Sequence, residues 1–175
     1  MRSVPLVLLI SGLSGLYTSM WGAYKDGPYE GFSLARFPRS VLFSLGIALF
    51  LVAGPMAIGE RFLRLPLFHI FLLIMGIERM VTEVYKACFR RNDQSIFLIP
   101  QRMTLLGRPV HSELLRFLTG AVLMSGIFVT PFINVQVSGF ATFVVTGFLT
   151  GLFICSGGAY KDAPFEGFDP RKFFR

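Results

Sequence analysis

The chain alternates between long apolar runs without charge and short segments in which charges cluster. Three uncharged runs cover residues 3–24, 40–59 and 117–160. A helix needs about 20 apolar residues to cross roughly 30 Å of hydrocarbon, so the first two runs predict one span each and the third predicts a helical hairpin. A fourth region, residues 65–88, begins apolar and then admits charged residues. The pattern predicts an integral membrane protein.

The surrounding lipid restricts the secondary structure of these runs. Lipid cannot hydrogen-bond a free backbone amide, and the runs are too long for the strands of a barrel. The chain is therefore expected to be an all-α integral membrane protein with a single domain over residues 1–175. It is predicted to form about five transmembrane helices, with a turn at 131–139 and a cytoplasmic loop at 89–113 in which two short strands or membrane contacts are expected. The predicted helices cover residues 3–24, 40–59, 65–88, 114–131 and 139–160.

Lys and Arg are unequally divided between the two ends of the predicted helices. Thirteen fall on one side of the membrane and three on the other. Because Lys and Arg in short loops collect on the cytoplasmic face, the N-terminus is expected outside and the C-terminus in the cytoplasm. The net charge of +7 then indicates orientation and contact with anionic lipid headgroups, and it does not favour nucleic-acid binding. The expected location is a bacterial inner membrane or an equivalent energy-transducing membrane.

One charged and aromatic segment occurs twice. Residues 15–39 match residues 151–175 at 13 of 25 positions, with GAYKDGPYEGF in the first copy and GAYKDAPFEGF in the second. The first and last helices run in the same direction, so both copies face the cytoplasm and the inverted repeat of transporters is excluded for this pair. The pair is expected to be related by a pseudo-twofold axis along the membrane normal, within one chain or between neighbouring chains. Small residues such as the GxxxG pair Gly147 and Gly151 are expected where helices pack closely.

Each copy is predicted to form what we call a foot, residues 25–39 and 161–175. In a foot the helix leaves the membrane, turns at the Asp and Pro, and lies flat on the surface until a glycine ends it. Tyr and Lys suit the headgroup boundary, Phe can enter the interface, and Arg can contact lipid phosphates. The predicted lipid-binding or partner-binding residues are Tyr24, Lys25, Asp26, Glu30, Phe32, Arg39, Tyr160, Lys161, Asp162, Glu166, Phe168 and Arg175.

The carboxylates of the feet allow two interpretations. In the first, they cap turns and pair with nearby Lys and Arg. In the second, Asp26, Glu30, Asp162 and Glu166 converge on Mg²⁺ and a lipid phosphate. A DxxxE spacing arises easily by chance, and the sequence contains no nucleotide-binding glycine loop, HExxH, GxSxG or Cys/His cluster. The sequence therefore assigns no catalytic residue, no metal and no known cofactor.

The third predicted helix contains the second candidate site. Arg79, Glu83 and Lys86 follow one stripe with alternating sign, and Glu78 lies off that stripe about two-thirds of the way across the membrane. An ionisable group at that depth should face protein or water. Together with His69, these residues form either a polar path for ions, protons or a headgroup, or a locally paired helix end. His69 itself is expected to make a hydrogen bond between helices.

Three classes of function fit these features. The leading hypothesis is a non-catalytic subunit or assembly factor of a larger membrane complex. Its basic and aromatic cytoplasmic surface would bind anionic lipids and other membrane subunits, or further copies of the chain. This hypothesis leads because the polar residues lie chiefly at the predicted interface and because 20 Phe provide a large apolar surface. The alternatives are a channel or transporter with a charged path on the third helix, and a Mg²⁺-dependent enzyme of lipid phosphates.

Overall fold

The computed structural model describes residues 1–30, 32, 34, 37–91, 103–105, 108–136 and 139–166. Within these ranges only the backbone is described for residues 25–30, 57, 104–105, 108, 130–136, 153–154 and 156–166. The described residues are mainly helical, which confirms the helical class that the apolar runs predict. The helices are α1 (Val4–Glu30), α2 (Arg39–Val52), α3 (Met56–Arg64), α4 (Leu67–Val84), α5 (Glu113–Gln136) and α6 (Phe140–Glu166).

Prolines mark the start of three helices. α2, α3 and α4 each begin directly after a proline, at Pro38, Pro55 and Pro66. A proline is tolerated there because the first N–H groups of a helix have no partner within the helix and because its φ is already close to the helical value. Pro55 and Pro66 have extended ψ angles of 133° and 144°. The chain therefore changes direction before α3 and before α4.

The predicted helix at residues 40–59 is wrong in its second half. The chain breaks at Pro55, and α3 follows as a separate helix of nine residues. The 14 residues of α2 extend only about 21 Å at 1.5 Å per residue. α3 is amphipathic, because Phe62 is fully buried while Arg61 and Arg64 are exposed. The two helices α3 and α4 meet at a bend of 120°.

α1 and α6 extend further than predicted. Both were expected to end near the tyrosine of the repeated motif, but they continue to Glu30 and Glu166, which are equivalent positions 136 residues apart. Each helix passes through a proline, Pro28 or Pro164, whose missing N–H removes one helical hydrogen bond without ending the helix. The predicted turn at the Asp of each foot is therefore wrong. The predicted glycine ends of the feet and residues 167–175 lie outside the described residues.

α4 is the central helix of the bundle. Ten of its residues are buried, and the apolar ones recur at Ile70, Leu73, Ile74, Ile77 and Val81 with the period of a helix. α1, α2, α5 and α6 all pack against it. At its C-terminal end α4 continues into one wider turn of π-helix, Tyr85–Phe89. The helix predicted at residues 65–88 therefore has the most buried position in the described structure.

The second half of the chain differs from prediction mainly in its connections. α5 continues through much of the predicted turn region at residues 131–139, and the turn falls at Gly139, whose φ of 65° favours glycine. In the loop before α5, two strands of two residues each, Thr104–Leu105 and Arg108–Pro109, pair antiparallel. The first apolar part of that loop lies outside the described residues. Both strands therefore come from the second part.

One helix in the described part of the chain is long and apolar enough to cross a membrane, namely α1 over Val4–Tyr24. α3 and α4 together provide a second candidate if the bent pair counts as one span. α2 and the stretch Phe140–Leu152 of α6 are apolar but shorter.

Candidate functional site

The interior of the bundle contains many hydroxyl groups, whereas large apolar side chains lie on its outside. Val122 is 72% exposed and Phe148 is 67% exposed, and similar side chains line the outside of α1 and α2. A protein in water normally has the opposite distribution. The buried polar or charged residues are Ser11, Ser14, Thr18, Ser19, Ser44, His69, Glu78, Thr82, Thr142, Thr146 and Thr150.

Glu78 occupies a polar seam between α2 and α4, which we define as Ser40, Glu78 and Thr82. Its side chain is fully buried. Thr82 Oγ1 donates a hydrogen bond to Glu78 Oε1 at 3.0 Å, and the Ser40 hydroxyl hydrogen-bonds the same carboxyl group. Within the described structure, Glu78 Oε2 has no hydrogen-bond partner. The seam thus places one carboxyl group beside two hydroxyl side chains.

Gly15 of α1 closes the seam from a third side. A Cβ at this position would lie 2.6 Å from the Ser40 carbonyl oxygen and from Val41 Cα, and 2.8 Å from Ser44 Oγ. Two of these three neighbours are backbone atoms, which cannot rotate away as a flexible side chain could. A glycine is therefore required for α1 to approach α2 this closely.

The charged stripe of α4 pairs within itself. Glu83 Oε1 lies 3.8 Å from a guanidinium nitrogen of Arg79 and 3.8 Å from Lys86 Nζ. One carboxylate is therefore shared by two cations, as the spacing of the stripe predicts.

His69 lies on the side of α4 that faces α6. Its side chain is 1% exposed, and its ring centroid is 4.0 Å from that of Phe143, with an angle of 56° between the rings. Neither ring nitrogen has a hydrogen-bond partner in the described part of the chain. The predicted hydrogen bond between helices is therefore wrong there, and the ring contacts an aromatic side chain instead.

Two equivalent hydroxyl groups join α1 and α6 to α4. Ser14 Oγ donates to the Phe71 carbonyl oxygen at 3.0 Å, and Thr150 Oγ1 donates to the Leu72 carbonyl oxygen at 3.1 Å. Ser14 and Thr150 are 136 residues apart, which is the repeat offset, and each directly precedes the aligned segment. This pair was not predicted from the sequence, because the matching segments 15–39 and 151–175 begin one residue later. The sequence signal for the pair is that two small hydroxyl residues, Ser14 and Thr150, stand at the same offset of 136 residues.

The feet are only partly within the described structure. Tyr24 is 80% exposed, with its ring centroid 6.2 Å from that of Trp21. Phe32 is exposed and contacts Phe37 at a centroid distance of 5.9 Å, and Arg39 is exposed at the start of α2. The other predicted foot residues lie outside the described residues or have only a described backbone, namely Lys25, Asp26, Glu30, Tyr160, Lys161, Asp162, Glu166, Phe168 and Arg175.

The described side chains contain no group of three or more His, Cys, Asp or Glu residues that could hold a metal ion. The carboxylate side chains of the feet lie outside the described side chains. Comparison with protein families, curated proteins and solved structures finds no match for this chain.

Proposed function

We propose that the protein is a multi-pass integral membrane protein that acts as a non-catalytic, lipid-binding subunit or assembly factor of a larger membrane complex. The supporting observation is the distribution of polarity in the bundle. Ser14 and Thr146 are fully buried, while Val122 and Phe148 are largely exposed. Lipid tails accept exposed apolar side chains, and membrane helices associate through close packing and interhelical hydrogen bonds from small hydroxyl residues.

The lengths of the helices support five spans. α1, α5 and α6 contain 27, 24 and 27 residues, or about 36–40 Å at 1.5 Å per residue, and the hydrocarbon is roughly 30 Å thick. α4 with its π-helical turn covers residues 67–89 and is about 34 Å long. α2 is shorter, and we propose that it crosses most of the layer while α3 lies at the boundary. The N-terminus would then be outside and the C-terminus in the cytoplasm.

Two features favour a subunit over a catalyst. The charged side chains of α4 pair with one another, so they stabilise the bundle without an external ligand. The outer surface instead offers apolar side chains for lipid or for a neighbouring subunit, and the exposed rings of Trp21 and Tyr24 suit the headgroup boundary. Anionic lipids and a larger membrane partner are the proposed ligands.

Alkaline carbonate extraction followed by native mass spectrometry tests this proposal. We expect the protein to stay in the membrane pellet and, after mild extraction, to carry phospholipid and a partner subunit in fixed stoichiometry. Release into the carbonate supernatant would contradict the membrane location. Retention of a lone chain that carries neither lipid nor partner would contradict the subunit proposal alone.

A channel or transporter is the second candidate, and Glu78 favours it. A fully buried carboxyl group with one oxygen lacking a partner is costly at membrane depth and often marks an ion or proton path. Flux through proteoliposomes that is lost in Glu78→Gln, with the bundle still folded, would support this function. Wild-type proteoliposomes that are as impermeable as protein-free vesicles would exclude it.

A further inference from the structure

Three exposed arginines lie on α3 or next to it. α3 exposes Arg61 and Arg64, while its Phe62 is fully buried against the core. The backbone N–H of Arg2 donates to the Leu63 carbonyl oxygen at 2.8 Å, so the start of the chain lies against α3. The side chain of Arg2 is exposed as well. This end of the bundle therefore has three exposed guanidinium groups.

Exposed apolar side chains flank these arginines. Met56, the first residue of α3, is 81% exposed, and Phe68, near the start of α4, is 65% exposed. We call Arg2, Met56, Arg61, Arg64 and Phe68 the α3 patch. Cationic heads beside protruding apolar groups fit the boundary of a bilayer, where phosphates lie above acyl chains.

The direction of α3 also fits this boundary. α3 is bent by 120° from α4, so it does not continue along that helix. A Cβ at Gly59 would lie 2.7 Å from the Val52 carbonyl oxygen, which shows that α3 packs tightly on the end of α2. The α3 patch is thus fixed to the bundle at the end where α1 and α4 begin.

The ion pair of Arg64 is weak enough to be exchanged for a phosphate. Glu60 contacts Arg64 at 3.6 Å, but the two side chains are 46% and 66% exposed. An ion pair in solvent contributes little stability, so Arg64 can exchange it for another anion. Three arginines and one glutamate leave a net charge of +2 on these side chains.

We propose that the α3 patch binds the phosphate of an anionic phospholipid in the leaflet opposite the one predicted for the feet. Guanidinium groups bind phosphate oxygens through two parallel hydrogen bonds, and Met56 and Phe68 would contact the acyl chains of the same lipid. This inference rests on the proposed membrane location. It adds a lipid site that the excess of basic residues on the cytoplasmic side does not indicate.

A photoreactive phosphatidylglycerol tests the site in nanodiscs of phosphatidylcholine that contain the full chain. Mass spectrometry of the labelled protein would measure the probe concentration that gives half-maximal labelling of residues 53–68. In Arg61→Gln/Arg64→Gln we expect this concentration to rise about 30-fold, which corresponds to about 1 kcal/mol for each basic residue. A photoreactive phosphatidylcholine should label these residues far less in the wild type.

Two control variants make the result specific. Arg90→Gln/Arg91→Gln removes the same charge beyond the other end of α4 and should leave labelling of residues 53–68 unchanged. Arg61→Lys/Arg64→Lys keeps the charge but loses the paired N–H donors of the guanidinium groups, so its labelling should fall less than that of the glutamine variant. A loss as large as in the glutamine variant would overturn the contribution of charge to the site.

The lipid site and the membrane location can be contradicted separately. If carbonate extraction leaves the protein in the membrane and the glutamine variant is labelled as well as the wild type, the α3 patch is not a lipid site, but the proposed function stands. If carbonate releases the protein, the membrane location fails and the lipid site fails with it.

Discussion

α1 and α6 make similar contacts with α4. Ser14 of α1 donates to the carbonyl oxygen of Phe71, and Thr150 of α6 donates to that of Leu72. The two hydroxyl groups occupy equivalent repeat positions and bind adjacent carbonyl groups of the same helix. This holds both copies at nearly the same level along α4 within one chain.

The resemblance ends at the following residue. It is glycine in both copies, yet a Cβ at Gly15 would lie 2.6 Å from the Ser40 carbonyl oxygen, whereas a Cβ at Gly151 would meet no atom of the described chain within 4 Å. In the described structure, α2 packs on α1 beside Gly15. No helix packs on α6 in the same way beside Gly151 among the described residues. The two helices therefore meet α4 alike at these hydroxyl groups, while α2 makes the packing around α1 tighter.

The largest expected difference comes from adding one methyl group to each copy. Gly15→Ala should lower the free energy of unfolding by about 3 kcal/mol, because the new Cβ collides with the backbone of α2. Gly151→Ala should be neutral or stabilise the protein by up to about 1 kcal/mol through better helix propensity. Thermal or denaturant unfolding in detergent measures both variants, and equal effects would contradict the tight approach of α1 to α2.

The next largest expected effect concerns the polar seam, which places the buried carboxyl group of Glu78 on the side of α4 that faces α2. Glu78→Gln should cost about 2 kcal/mol of unfolding free energy, since it places the N–H donors of an amide where Glu78 Oε2 finds no hydrogen-bond partner among the described residues. Glu83→Gln should cost at most about 1 kcal/mol, because its two ion pairs are long, at 3.8 Å. Denaturant unfolding of the two variants measures both costs. A larger cost for Glu83→Gln than for Glu78→Gln would show that the charged stripe contributes more stability than the polar seam.

On the side of α4 that faces α6, the buried polar group is the imidazole of His69. His69→Phe keeps a ring against Phe143 and removes two buried nitrogens that lack hydrogen bonds among the described residues. We expect it to raise the unfolding free energy by about 1 kcal/mol. His69→Ala, which also removes the ring, should instead lower it by about 3 kcal/mol. A destabilised His69→Phe protein would show that the imidazole nitrogens have partners in the folded protein.

The sequence predicts the helical class and a protected position for Glu78 for physical reasons. Long uncharged runs leave helices as the only simple way to satisfy the backbone, and an ionisable group deep in such a helix should face protein or water, of which the structure shows protein. The partners of that charge could not be predicted, because Ser40 is distant from Glu78 in the sequence and only the packing of α2 on α4 brings them together. The same limit applies to small residues. Gly147 and Gly151 form a GxxxG pair, yet a Cβ at either would meet no described atom within 4 Å.

Prolines show why boundaries are harder to predict than helices. Pro55 ends an apolar run that charge alone would extend to residue 59, so the sequence contained the signal for the break between α2 and α3. Pro28 carries the same chemical restriction, yet α1 continues through it to Glu30. One missing hydrogen bond near the end of a long helix is a small perturbation, whereas Gly54 and Pro55 together interrupt a short one.

The smallest expected effect concerns the two similar hydrogen bonds that α1 and α6 donate to α4. Ser14→Ala and Thr150→Val each remove one hydroxyl that donates to α4, and each should cost about 0.6 kcal/mol, the average for such bonds between membrane helices. Because the two hydroxyls bind different carbonyl groups, we expect the double variant to lose the sum of the two single costs. Ser125→Ala is a control, since that hydroxyl binds only a carbonyl of its own helix and is exposed. A double-mutant cycle of unfolding free energies measures the two single costs and the coupling between them. A large coupling energy would mean that α1 and α6 do not pack on α4 independently.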